Sequence, residues 1–217
     1  MPMRWPARWP RCERGRAVSG QALSRQSLAA FVLVAVIWGS TWLVIKDQIS
    51  ATPPSWTIAF RFILAAAGAT LLAVVRGESL RLPRPAIAVA LAVGIAQFVG
   101  NFHFVYRAEH YLTSGIVAVF YATLMVPNAL LARVFLKAQV GRRFLAGSGV
   151  ALAGVALLLI NEYRLAPPGG EVPLGVALMV GGLLTASVAN VVQASAAARS
   201  APVVPVLAWA LGFGALI

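Results

Sequence analysis

Long apolar stretches separated by short, Arg-bearing gaps run the length of the chain. Residues 26–45, 85–106, 110–132, 144–161, 172–198 and 200–217 carry no Lys, Arg, Asp or Glu, and the stretch 54–75 is broken only by Arg61. About 20 apolar residues, at ~1.5 Å each, cross a hydrocarbon core as a helix. Seven such stretches predict an all-α, polytopic transmembrane bundle with helices near 28–46, 55–75, 86–106, 112–135, 144–161, 173–194 and 201–217. Residues 1–27 read as a basic, disordered cytoplasmic tail and 28–161 as a first five-helix unit. Residues 162–172, with the breaker Pro167-Pro168-Gly169-Gly170, read as an outer loop, and 173–217 as the incomplete start of a second unit. The chain stops at Ile217 within an apolar run, without a Lys, Arg, Trp or Tyr to anchor a membrane exit, and so reads as a fragment of a longer protein.

Composition supports a lipid solvent. Hydrophobic residues make up 60% and charged residues 11%, against about 25% charge in a soluble domain. The net charge of +12 invites a nucleic-acid partner, but the placement of the charges argues against one. Six arginines (Arg4, Arg8, Arg11, Arg14, Arg16 and Arg25) lie in the tail, and most other basic residues lie in the gaps. Alternating sides along the seven helices puts 14 Lys and Arg on the N-terminal side and three on the other. The positive-inside rule then places the N-terminus in the cytoplasm. Membrane lipid and a small-molecule solute are the expected partners, and a homodimer is left open.

Some chemistries lack their residues. A single cysteine, Cys12, makes no intrachain disulfide, and His103 and His110 form no spaced ligand set, so no metal is expected. No cofactor is expected either. There is no phosphate-cradling Gly-Lys-Ser/Thr loop and no Ser-His-Asp constellation. No Asp or Glu lies deep in an apolar run, so a carboxylate proton relay has only Glu109 and Glu162, at run edges, to draw on.

Polar groups inside a bilayer are costly and mark candidate sites. Arg61 either snorkels to the headgroups, makes a structural bond, or pairs with an anionic group in a cavity. Gln97 and Asn101, one turn apart, either line a polar cavity or bond across to a neighbouring helix. Ser114, Ala118, Tyr121, Met125 and Asn128 form another face at spacings of four and three; Tyr121 suits either a solute or a backbone carbonyl. Pro127 removes the amide donor to the Thr123 carbonyl and predicts a kink. Trp38 and Trp42, beside Gly39, Ser40 and Thr41, suit a cavity wall or gate. His103 points away from Gln97 and reads as structural. Gly147, Ala151 and Gly154 read as a packing stripe.

The stretch Ile37–Val44 followed by Pro53-Pro54 and Trp56 has a loose echo in Thr185–Val192 followed by Pro202, Pro205 and Trp209. That echo alone does not separate a repeat from chance, and it is the only support for Asn190 and Gln193 as cavity residues.

Trp38-Gly39-Ser40-Thr41-Trp42, Pro53, Ala59-Phe60-Arg61-Phe62, Ala108, Tyr111-Leu112-Thr113-Ser114-Gly115, Pro127, Gly147 and Gly154-Val155 stand in an order that resembles the drug/metabolite transporter superfamily of the EamA type. The resemblance implies ten helices in two inverted five-helix repeats, seven of them here. It implies a permease moving a small metabolite or drug-like solute by alternating access, and no enzyme. It strengthens Arg61 as a solute or gate contact. After the fourth helix the family has a Gly-Glu-Arg-like turn; here Lys137-Ala138-Gln139 lacks the acid, which removes its role as a latch. An integral membrane enzyme and a non-catalytic scaffold subunit are the alternative classes.

Overall fold

The computed structural model describes residues 25–166 and 170–216. The expectations for the tail up to residue 24 and for Pro167-Pro168-Gly169 lie outside the described residues.

Every regular element among the described residues is helical. In order they are α1 (Arg25–Ala51), α2 (Pro54–Val75), α3 (Arg84–Val93), a π-helical segment (Gly94–Asn101), α4 (Phe102–Ala108), α5 (Ser114–Ala122), α6 (Met125–Leu136), α7 (Arg142–Leu165), α8 (Val172–Gln193), α9 (Ala196–Arg199) and α10 (Val203–Leu216). Six continuous spans are long and apolar enough to cross a membrane: 26–51, 54–75, 84–108, 114–136, 142–165 and 172–193. The seventh stretch forms the shorter apolar helix α10. The chain is a polytopic helical membrane protein.

Local chemistry sets the boundaries. Proline opens α2, α3 and α8 within the first two positions, where its missing N–H is already an orphan. At the end of α2, Gly77 takes φ +68°, its N–H bonds the Val74 carbonyl, and the Glu78 N–H bonds the Ala73 carbonyl. This is a Schellman closure, and it calls for glycine. The end of α6 uses the same left-handed conformation at Lys137, φ 55°, in the turn that departs from the family pattern.

The kink expected at Pro127 falls as a turn at Thr123 and Leu124, between α5 and α6 of the same span. The Thr123 carbonyl, deprived of Pro127 as a donor, accepts instead from the Val126 N–H at 2.8 Å.

The chain divides into two units after Gly39. In the first, the described residues are the opening turns of α1. In the second, spans 84–108 and 172–193 are central, with 44% of their apolar window buried against at most 17% in 54–75, 114–136 and 142–165. One core cluster joins Val105, Leu112, Val117 and Phe120 to Val155 and Met179; another joins Ile45, Ile58, Phe62 and Tyr106 to Leu211. Trp42 packs on both. Lipid-facing helices gain little from burying apolar area, so close backbone approach carries the association. A Cβ at Gly182 would sit 3.0 Å from Val105 Cγ2, and one at Gly214 would collide with Phe98 Cβ.

The stripe Gly147, Ala151 and Gly154 is a correction. All three are exposed, and a Cβ on either glycine meets nothing within 4 Å. Small residues pack only where a neighbour arrives, and the buried residues of α7 are Ser148 and Val155.

Candidate functional site

The π-helical segment carries Gln97 and ends on Asn101, which is buried. Wide π turns are rare and are frequently found at functional sites. Asn101 is a hub. Its Nδ2 donates to the Gly182 carbonyl of α8 at 2.8 Å. Its Oδ1 accepts from Tyr121 Oη at 3.2 Å and from Gln97 Nε2 at 3.4 Å. The Trp42 ring lies 5.5 Å from that of Tyr121, tilted at 56°. Four candidates from three separate spans therefore meet. The set is uncharged, rich in donors and acceptors, and walled by an aromatic ring.

A second pair lies between α6 and α8, where Asn190 Nδ2 donates to Asn128 Oδ1 at 3.2 Å. The sequence offered each residue separately, and the structure joins them. Arg61 has different company. It is exposed on α2, donates to Tyr106 Oη at 3.2 Å and holds its guanidinium 5.6 Å from the centre of the Phe102 ring. His103 bonds locally, with Nδ1 2.9 Å from the Val99 carbonyl. Trp38 is exposed and belongs to the first unit. Ser40 is exposed and Thr41 half-buried, both directly before Trp42 on α1.

Sequence reasoning missed the α4–α5 turn as a polar centre. Lys46 of α1 donates to the Glu109 carbonyl and, at 3.2 Å, to the Leu112 carbonyl. Ser114 Oγ donates to Glu109 Oε2 at 3.1 Å. Glu162 of α7 accepts from the Thr113 N–H at 2.9 Å, supplying the orphan amide at the start of α5 with a charged acceptor. The available signal was a Lys and two Glu that all fall at run edges on one end of the alternating helices. Among the described residues no group of three His, Cys, Asp or Glu comes together to hold a metal.

A family model described as "EamA-like transporter family" matches residues 26–160. Protein PagO of Salmonella typhimurium (strain LT2) is 26% identical over 132 residues, covering 61% of this chain and 43% of the relative. The uncharacterized inner membrane transporter YedA of Escherichia coli (strain K12) is 35% identical over 130 residues, 58% of this chain and 40% of the relative. An uncharacterized transporter of Buchnera aphidicola (subsp. Schizaphis graminum) is 23% identical over 130 residues, 60% of this chain and 43% of the relative. The matches span about two-fifths of the relatives' length. No solved structure matches.

Proposed function

From the premise that this chain belongs to the EamA-like transporter family, we propose that it is part of a secondary carrier of the inner membrane. It moves a small metabolite or drug-like solute by alternating access. The chain supplies one five-helix unit (28–161) and the opening helices of a second, inverted one (173–217). A named inner membrane transporter among its relatives supports the location. The Asn101 hub carries the reading: within an apolar bundle it gathers amide, phenol and indole groups without a fixed charge. Such a set suits a neutral or zwitterionic solute, held by hydrogen bonds and ring contacts.

Gln97 provides the test. It is half-buried, and an amide has two donors and two acceptor lone pairs, more than its contacts with Asn101 and Tyr121 use. Cells expressing the protein are profiled for growth and tolerance across a metabolite panel. We expect an altered response to at least one solute, and at least about tenfold weaker flux of that solute in Gln97→Leu at equal membrane abundance, one pairing of ~1.4 kcal/mol being worth that factor. A panel with no response, or full flux in Gln97→Leu, removes the carrier reading or the site.

The basic asymmetry of the loops gives a cytoplasmic N-terminus. With Cys12 replaced, a cysteine at Ser79 should be shielded from an impermeant maleimide in intact cells, and one at Thr52 should react. The reverse pattern inverts the topology.

A further inference from the structure

The α4–α5 turn hides a carboxyl group that is only half satisfied. Glu109 is fully buried; Oε2 takes the Ser114 hydroxyl, and Oε1 has no partner. The charged and titratable groups around it are few. From α1 comes Lys46, whose ammonium is engaged by the backbone carbonyls of Glu109 and Leu112. From α7 comes Glu162, bonded to Thr113. From α8 the contact is apolar, with Gly175 against Tyr111 and Leu112; Glu171, at the start of that helix, is exposed. On the turn itself Arg107 and His110 are exposed.

An ionised carboxylate with an unpaired, buried oxygen is costly, and a neutral carboxylic acid in the same place costs far less. Burial pushes the Glu109 carboxyl above its usual range, against the opposing pull of the Ser114 hydrogen bond and the Lys46 charge. Lys46 meanwhile bridges α1 to the turn through carbonyls, which hold it whether or not Glu109 is charged.

We propose that Glu109 is a proton-binding site that gates this end of the bundle. It carries a proton while Lys46 ties α1 to the α4–α5 turn, as in this structure. Opening admits water, the proton leaves to bulk solvent, and the freed carboxylate becomes a partner for Lys46. One proton is released per opening and one taken up per closing. The use of this site in transport rests on the carrier reading; its existence does not.

The experiment needs no transported solute. The protein in lipid nanodiscs is titrated by difference infrared spectroscopy, following the protonated-carboxyl stretch. The same samples, with Cys12 replaced and the buried Leu112 changed to cysteine, are reacted with a maleimide at each pH. A carboxyl band absent in Glu109→Gln should disappear as pH rises, with a midpoint above the ordinary carboxylate value. Leu112→Cys labelling should increase with the same midpoint, beyond the rise in thiol reactivity measured in the Glu109→Gln background. Ser114→Ala, which removes a bond to the charged form, should move both midpoints up by about one pH unit. A band identical in wild type and Glu109→Gln at every pH overturns the site. Labelling that ignores the titration overturns the gate. Failure of the carrier reading would show separately, as absent flux with both titrations intact.

Discussion

Asn101→Leu should lower the melting temperature of the purified protein and reduce flux by at least tenfold, whereas Tyr121→Phe should cost about a third as much stability. Asn101 ties three elements: its own π segment through Gln97, α5 through Tyr121, and α8 through the Gly182 carbonyl. Hydrogen bonds between membrane helices average ~0.6 kcal/mol, so the two that leave the segment, to Tyr121 and Gly182, amount to ~1 kcal/mol, and the bond to Gln97 within it adds a smaller part. The loss also takes a partner from the Tyr121 hydroxyl, whereas the Gly182 carbonyl keeps the Thr185 hydroxyl at 3.0 Å; a buried group left unsatisfied costs ~1–3 kcal/mol. Leucine keeps the branching of the side chain, and its larger methyl groups add a packing cost at this buried position. On the proposed carrier function, flux falls further than stability because the site would re-form in each cycle, and ~1.4 kcal/mol off the competent arrangement is already tenfold. Thermal unfolding in detergent and uptake by proteoliposomes measure the two parts. A variant that melts and transports like wild type would show that the hub holds nothing together.

The spans were legible because a single constraint dictates them: backbone in lipid must satisfy itself, so each crossing needs an uninterrupted run of apolar helix. The run edges, with Pro54, Pro85 and Gly77, then mark the ends. The site was legible only as a set of separate parts. Gln97 and Asn101 share a face in an α-helix, but nothing in the sequence announces the π turn that carries them. The Asn101–Gly182 bond joins positions 81 apart, and its acceptor is a backbone carbonyl that any residue would supply. Asn190 entered through a weak echo of the first helix, and Asn128 through a face of the fourth predicted helix; their meeting is a tertiary contact 62 positions apart. Glu109 was legible only as a carboxylate at a run edge; its burial, with the Ser114 hydroxyl and the Lys46 bridge beside it, is a tertiary fact. The glycines of α7 misled because a small residue suits a close neighbour and an open surface equally.

Arg61→Ala should insert at least as well as wild type yet melt lower, and combining it with Tyr106→Phe should add little. Two costs compete. Arg61 is the eighth residue of α2, about 10 Å along the helix at 1.5 Å per residue. An unpaired Arg within a membrane helix opposes insertion by ~2.5–3.5 kcal/mol at the bilayer centre and less towards the edge. Removing it relieves that term in the inserted but unpacked chain. In the folded bundle the guanidinium is no longer unpaired: it holds the hydroxyl of the fully buried Tyr106 and rests against the Phe102 ring. A hydrogen bond from a charged donor contributes ~1.5–3 kcal/mol and a cation–π contact ~0.5–1 kcal/mol at an exposed site. Folding therefore loses more than it gains, while insertion does not suffer. Because both substitutions break the same bond, the double-mutant cycle should show a coupling of about 1 kcal/mol or more. Flux separates this strap from a solute contact. A strap lost between α2 and α4 slows neutral and anionic solutes alike, whereas a lost counter-charge slows anions alone. We expect the first pattern, and selective loss of anion flux with unchanged melting would reassign Arg61 to the solute.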